Sequence, residues 1–138
     1  MTSIQRLNPD NLGHPSNYGF TNIAVVPTGH QLVFISGQGG RNPDDGRLAD
    51  DFETQLKQAF DNLRRALSAA GAAPENVVKI TVLSVNHNAE QQQLISAQRN
   101  AMWPDELVKP TSSLIPVPRL ASDGMLFEID AIAAVPAT

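Results

Sequence analysis

The chain has 138 residues, no cysteine, 41% hydrophobic residues and a formal net charge of −4. That length suits one domain with its own core, and the lack of cysteine excludes disulfide frameworks, thiolate nucleophiles and thiolate metal sites. An acidic chain with 5% aromatic residues is poorly equipped for sequence-independent nucleic-acid binding, which needs phosphate neutralisation and stacking platforms.

Residues 1–18 are rich in Asn, Pro, Gly and Ser and read as an irregular arm. The arm has no apolar stretch of signal-peptide type, and no run approaches the roughly 20 apolar residues that span a bilayer. A cytoplasmic protein without a membrane partner is expected. FTNIAVV then reads as a strand, Pro27-Thr28-Gly29 as a turn and QLVFISG as a second strand, which together predict a hairpin. RNPDDG is a turn, because Pro43 presets φ, Asp44 and Asp45 bond back to the chain and Gly46 tolerates positive φ.

The segment from Asp50 to Gly71 predicts a long helix. Phe52, Leu56, Ala59, Phe60, Leu63, Ala66, Leu67 and Ala70 recur at helical spacing, Asp50 or Asp51 can cap the start, and Gly71 ends it. NVVKITVLSV follows as a β-branched strand. AEQQQLISAQRNAMW predicts a second helix that buries Leu94, Ile95, Ala97, Ala101 and Met102 and stops at Pro104, with Trp103 as a packing anchor. Strands at 112–117 and across MLFEIDAIAAV complete the order β-β-α-β-α-β-β, a two-layer α+β domain spanning 1–138. The 112–117 strand is unusual: a strand carrying Pro116 belongs at an edge, a bulge or an interface.

NVVKITVLSV carries apolar residues on both sides, Val78, Ile80 and Val82 on one and Val77, Leu83 and Val85 on the other. Two helices cover one sheet face, so the second face is expected to be buried by self-association. Glu128 and Asp130 lie two apart on the last strand, about 6.5–7 Å along one face. They form either a solvated strand face or carboxylates at a subunit cleft able to act on water. SGQGG lacks the spacing of a dinucleotide loop; it marks a bulge or a close approach of a ligand to Ser36 and Gly37. Asn88 either caps the second helix or meets a ligand. His14, His30 and His87 have no ligand-type spacing, so no metal is expected.

VFISGQGG, GRL before the long helix, AAGAAPENVVKITVLSVN, KPTSSLIPVPRLASDG and FEIDAIAAV stand together in one order over residues 19–135. This set resembles the Rid (YjgF) family. The resemblance implies a chorismate-mutase-like two-layer fold, a mixed sheet backed by two helices, assembled as a homotrimer with clefts between subunits. It implies a cofactor-independent hydrolase of reactive imines or enamines. Glu128 would handle the attacking water, and Phe20, Ser36, Gly37, Asn88, Ser112 and Leu114 would line the cleft. The family's K-P-A-R-S stretch reads Lys109-Pro110-Thr111-Ser112-Ser113 here, with serine in place of the arginine that grips a substrate carboxylate. A hydroxyl cannot replace that planar charge. Arg119 falls further along and does not stand in for it. The ligand is therefore expected to be neutral, differently charged or anchored elsewhere, and ordinary 2-imino acids are not expected as substrates. The alternative is a trimer that binds or senses a small molecule without turnover; ribonuclease activity has no basic groove to support it.

Overall fold

The computed structural model describes residues 3–137. A four-stranded sheet has the order β3-β6-β4-β5, formed by β3 (His30–Gly39), β4 (Val77–Val85), β5 (Thr111–Val117) and β6 (Phe127–Pro136). A separate two-stranded sheet pairs β1 (Gln5–Leu7) with β2 (Ile23–Val25). Two helices, α1 (Phe52–Ala69) and α2 (Ala89–Met102), back the larger sheet. No helix among the described residues is long and apolar enough to cross a membrane.

Helix α1 forms where its periodicity requires. The Asp51 carboxylate accepts from the Thr54 amide at 3.0 Å, which satisfies one of the orphan donors of the first turn. Leu56, Ala59, Phe60, Leu63 and Leu67 are buried from this helix and meet Ile80, Val82, Phe127, Ile129 and Ala131 from the sheet. Phe60 stacks on Phe127 with ring centroids 6.0 Å apart. Near the start of the helix, buried Gln55 donates to Ala49 O (2.7 Å) and Gly124 O (2.8 Å) and accepts from the Leu126 amide (2.8 Å). It pins the turn before β6 to the helix.

Helix α2 departs from its predicted face. Its buried side chains are Ile95, Arg99 and Met102, whereas Ala97 and Ala101 are exposed. Its role as crossover between the parallel pair β4 and β5 does hold the predicted edge strand in place, Ser112 opposite Ile80 and Pro116 opposite Ser84. Proline is tolerated at β5 because that strand is an edge of the sheet.

Three other expectations are corrected. The 20–26 and 31–37 segments do not form a hairpin, because β3 pairs with β6 while β2 pairs with β1. A hydrogen bond from the Thr21 amide to Pro110 O (2.8 Å) ties this segment to the start of β5, at the opposite edge of the sheet from β3. The arm is not irregular throughout: it contains β1 and tight turns at Asp10–Leu12 and Ser16–Tyr18, which adds a strand to the predicted order. Its residues 1 and 2 lie outside the described range. Finally, Val77 does not share a face with Leu83 and Val85. The register steps between Val77 and Lys79, a β-bulge that turns Val77 into the core beside Ile80 and Val82.

The second face of the sheet stays uncovered in one chain. Phe34 is 72% exposed, and Leu32 and Ile115 are also exposed.

Candidate functional site

All the predicted residues except Asn88 fall into two groups, at different parts of the sheet. The first is built by a bulge. On β3 the register shifts between Ile35 and Gln38, so Ser36 and Gly37 take one position more than β6 offers opposite them. Glu128 pairs with Gly39 on one side and Leu83 on the other, half-buried on the face away from the helices. Its neighbours Phe127, Ile129 and Ala131 are buried in the core. The Glu128 side chain lies directly over Gly37: a β-carbon there would sit 2.5 Å from Cδ and 2.9 Å from Cγ. A side chain at position 37 would push the carboxylate out of this seat. Asp130, two residues on, shares that face opposite Thr81 and is exposed.

The second group lies at the β5 edge. Phe20, Thr21 and Asn22 face Thr111, Ser112, Ser113 and Lys79 across a shallow recess. Lys79 Nζ donates to Ser113 Oγ at 3.0 Å. Thr111 Oγ1 donates to Val78 O at 2.7 Å, so its hydroxyl is committed to the sheet. Ser112 Oγ accepts from Arg99 Nη1 at 3.1 Å, and the Arg99 guanidinium stands over the Phe20 ring, 5.4 Å from its centroid. Leu114, opposite Val82, packs against the core.

Asn88 belongs to neither group. Its carboxamide oxygen accepts from the Gln91 amide at 2.8 Å and caps α2. Arg119 forms an exposed ion pair with Asp123 at 3.0 Å and stands outside both groups. Lys109 is buried, donating to Trp103 O and Asn100 Oδ1. The histidines hold no metal arrangement among the described residues.

Sequence reasoning missed Arg99. The signal was present: Arg99 lies four residues after Ile95 and three before Met102, on the helix's apolar stripe. A charged residue at such a position is buried together with its neighbours, and here it is 2% exposed.

A profile of the family described as Endoribonuclease L-PSP matches residues 17–135. The RutC family protein YjgH of Escherichia coli is 28% identical over 124 residues, 90% of this chain and 91% of that protein. A 2-iminobutanoate/2-iminopropanoate deaminase of Salmonella typhimurium is 31% identical over 103 residues, covering 74% of this chain and 78% of the deaminase. A match to a RutC family protein of Aquifex aeolicus is 46% identical but spans 51 residues, 37% of this chain and 41% of that protein. Among solved structures, the Rid-family protein YyfB of Yersinia pestis superposes with a TM-score of 0.89 at 29% identity, over 98% of this chain and all of that one.

Proposed function

The chain belongs to the Rid (YjgF) family, whose profile covers nearly its whole length, and on that premise we propose that it hydrolyses a reactive imine or enamine at a cleft between subunits. The observation that carries this is the Glu128 carboxylate, seated over the Gly37 bulge on a sheet face that a neighbouring subunit would cover. A subunit packed on that face would shield the half-buried carboxylate from bulk water, a setting that suits a general base. An enamine first tautomerises to its imine; water then adds to the protonated C=N carbon as Glu128 takes one of its protons, giving a neutral carbinolamine. Glu128 returns that proton to nitrogen, and the hydroxyl proton passes to Glu128 as the C–N bond breaks, the carbonyl forms and ammonia leaves.

Self-association completes the reading. The Glu128 group and the β5 recess lie on different strands of one sheet, with β4 and β6 between their outer members. Packing the open face, with exposed Leu32, Phe34 and Ile115, against a second copy would bury these apolar groups. A homotrimer is the expected assembly, measured by light scattering. No cofactor is needed for this chemistry.

The residues offered directly by the lip are hydroxyls and an ammonium, with no guanidinium fork at its surface. Substrates other than ordinary 2-imino acids are therefore proposed. A binding trimer without turnover is the second reading, favoured by the same serine lip.

Ammonia release from freshly generated imines tests both readings. Glu128→Gln keeps the shape of the side chain and is expected to lower turnover by about a hundredfold or more. Unchanged turnover in Glu128→Gln would remove Glu128 from the mechanism. Saturable binding with no ammonia from any imine would leave the binding trimer.

A further inference from the structure

Two unlike strand edges stand open among the described residues. The first is the outer edge of β3, which pairs with β6 on one side only. β3 runs from His30 to Gly39 without a proline, lysine, arginine or carboxylate, and its Leu32 and Phe34 are exposed. Free edges are normally blunted by charge, proline, a bulge or shortness, because their unpaired amides and carbonyls recruit other strands. From His30 to Ile35 none of these protections applies; the bulge begins only beyond Ile35. The second open edge is that of β2, which carries β1 on its other side and exposes Ile23 and Val25.

These edges follow one another in sequence, separated by Val26-Pro27-Thr28-Gly29, a loop of ordinary hairpin length. The chain does not close that hairpin. The β1–β2 sheet is anchored elsewhere: Arg6 Nη2 donates to Glu75 O (2.8 Å) and Val77 O (3.0 Å) at the start of β4, and the Thr21 amide donates to Pro110 O (2.8 Å) before β5. Asn100 Nδ2 adds a bond to Asn17 O at 3.1 Å. Drawing β2 alongside its own β3 would pull the arm from these anchors. Val26 precedes a proline and is biased to extended backbone, which carries the chain onward rather than back. A solved YjgH structure, 28% identical over 99% of this chain, superposes with a TM-score of 0.69, against 0.89 for YyfB at 29% identity. Part of this chain is thus placed as in YyfB and differently from YjgH.

We propose that β2 of one subunit pairs with the free edge of β3 in the next, so that the hairpin left open within each chain is made between chains. The occupant of the β3 edge is a second copy because that copy offers a matching edge, equally uncharged and apolar, already held in extended form by β1. Two unlike edges on one body join copies head to tail, and such contacts close into rings. The exchange rests on the self-association reading and goes beyond it. Ladder hydrogen bonds along a strand edge, in addition to apolar contact on the open face, would then select the partner.

The chain has no cysteine, so a reactive pair can be introduced without background. Ile23→Cys and Leu32→Cys, both at exposed positions, are combined in the full chain and treated with a short bis-maleimide under native conditions. Strand exchange predicts covalently joined chains on a denaturing gel. It predicts the same when the two single variants are unfolded and refolded together, with either single variant alone remaining unjoined. A link confined within single chains, in a protein that light scattering shows to be oligomeric, overturns the exchange and leaves self-association standing. No link between the two positions, or joining by one single variant alone, overturns it as well. A monomer by light scattering removes both readings. Hydrogen exchange on the wild-type chain gives a second measure that needs no substitution. The amides between His30 and Ile35 that face away from β6 are expected to exchange at least tenfold more slowly in the assembled protein than in a free strand; rapid exchange there overturns the proposal.

Discussion

Two buried polar side chains, one on each helix, have opposite surroundings. At the start of α1, Gln55 has both its donors and its acceptor paired with backbone groups of the turns it joins. Near the end of α2, Arg99 carries a full charge, meets two serine hydroxyls and an aromatic face, and leaves Nε unpaired. Both are almost fully buried. The first is satisfied by the fold and stabilises it; the second keeps a buried charge that the fold pairs only in part.

The sharpest way to break this contrast is to remove the hydrogen-bonding ends. Gln55→Leu leaves the Leu126 amide and two carbonyls without partners and is expected to cost about 3 kcal/mol, measured by urea unfolding. Arg99→Met keeps much of the buried stem and discards an uncompensated charge, so its stability should lie within about 1 kcal/mol of wild type or above it. If Arg99→Met proves as damaging as Gln55→Leu, the arginine is a structural member and the contrast fails. The smallest effect is one of pH. Desolvation lowers the Arg99 pKa from the ordinary arginine range to about 10, so between the folded and unfolded values the unfolded chain binds the additional proton and stability rises with pH. Below pH 10 the penalty is fully present. The stability difference between Arg99→Met and wild type should therefore be flat near neutrality and shift in favour of wild type above about pH 10, as two matched unfolding series would record.

The same contrast explains what could be read from the residues. Helix α1, β4 and β6 were legible because their apolar periods are strong and their faces lie on one core. The odd strand was legible as an edge because proline forbids a central place. The partner of β2 was not, since a three-residue strand carries no period and its partner, β1, is equally short and lies in an arm of turn-forming residues. The bulge at Val77 was missed because alternation counts positions and cannot see an inserted residue. Glu128 and Gly37 were both singled out, but their contact depends on the register of β3 against β6. Arg99 was overlooked for a simpler reason: a charged residue in a helix is read as surface, even when its spacing places it inside.

Trp103 gives this chemistry an optical consequence. It is the only tryptophan in the chain, fully buried, edge-on to Phe60, with its indole N–H donating to Pro74 O. Its backbone amide donates to the carbonyl of Arg99 at 2.9 Å. The protein thus carries its single tryptophan, which can be excited selectively over Tyr18, on the same turn of helix as its buried cation. One emission spectrum, followed through a titration or a melt, reports on the seating of that turn without any added label.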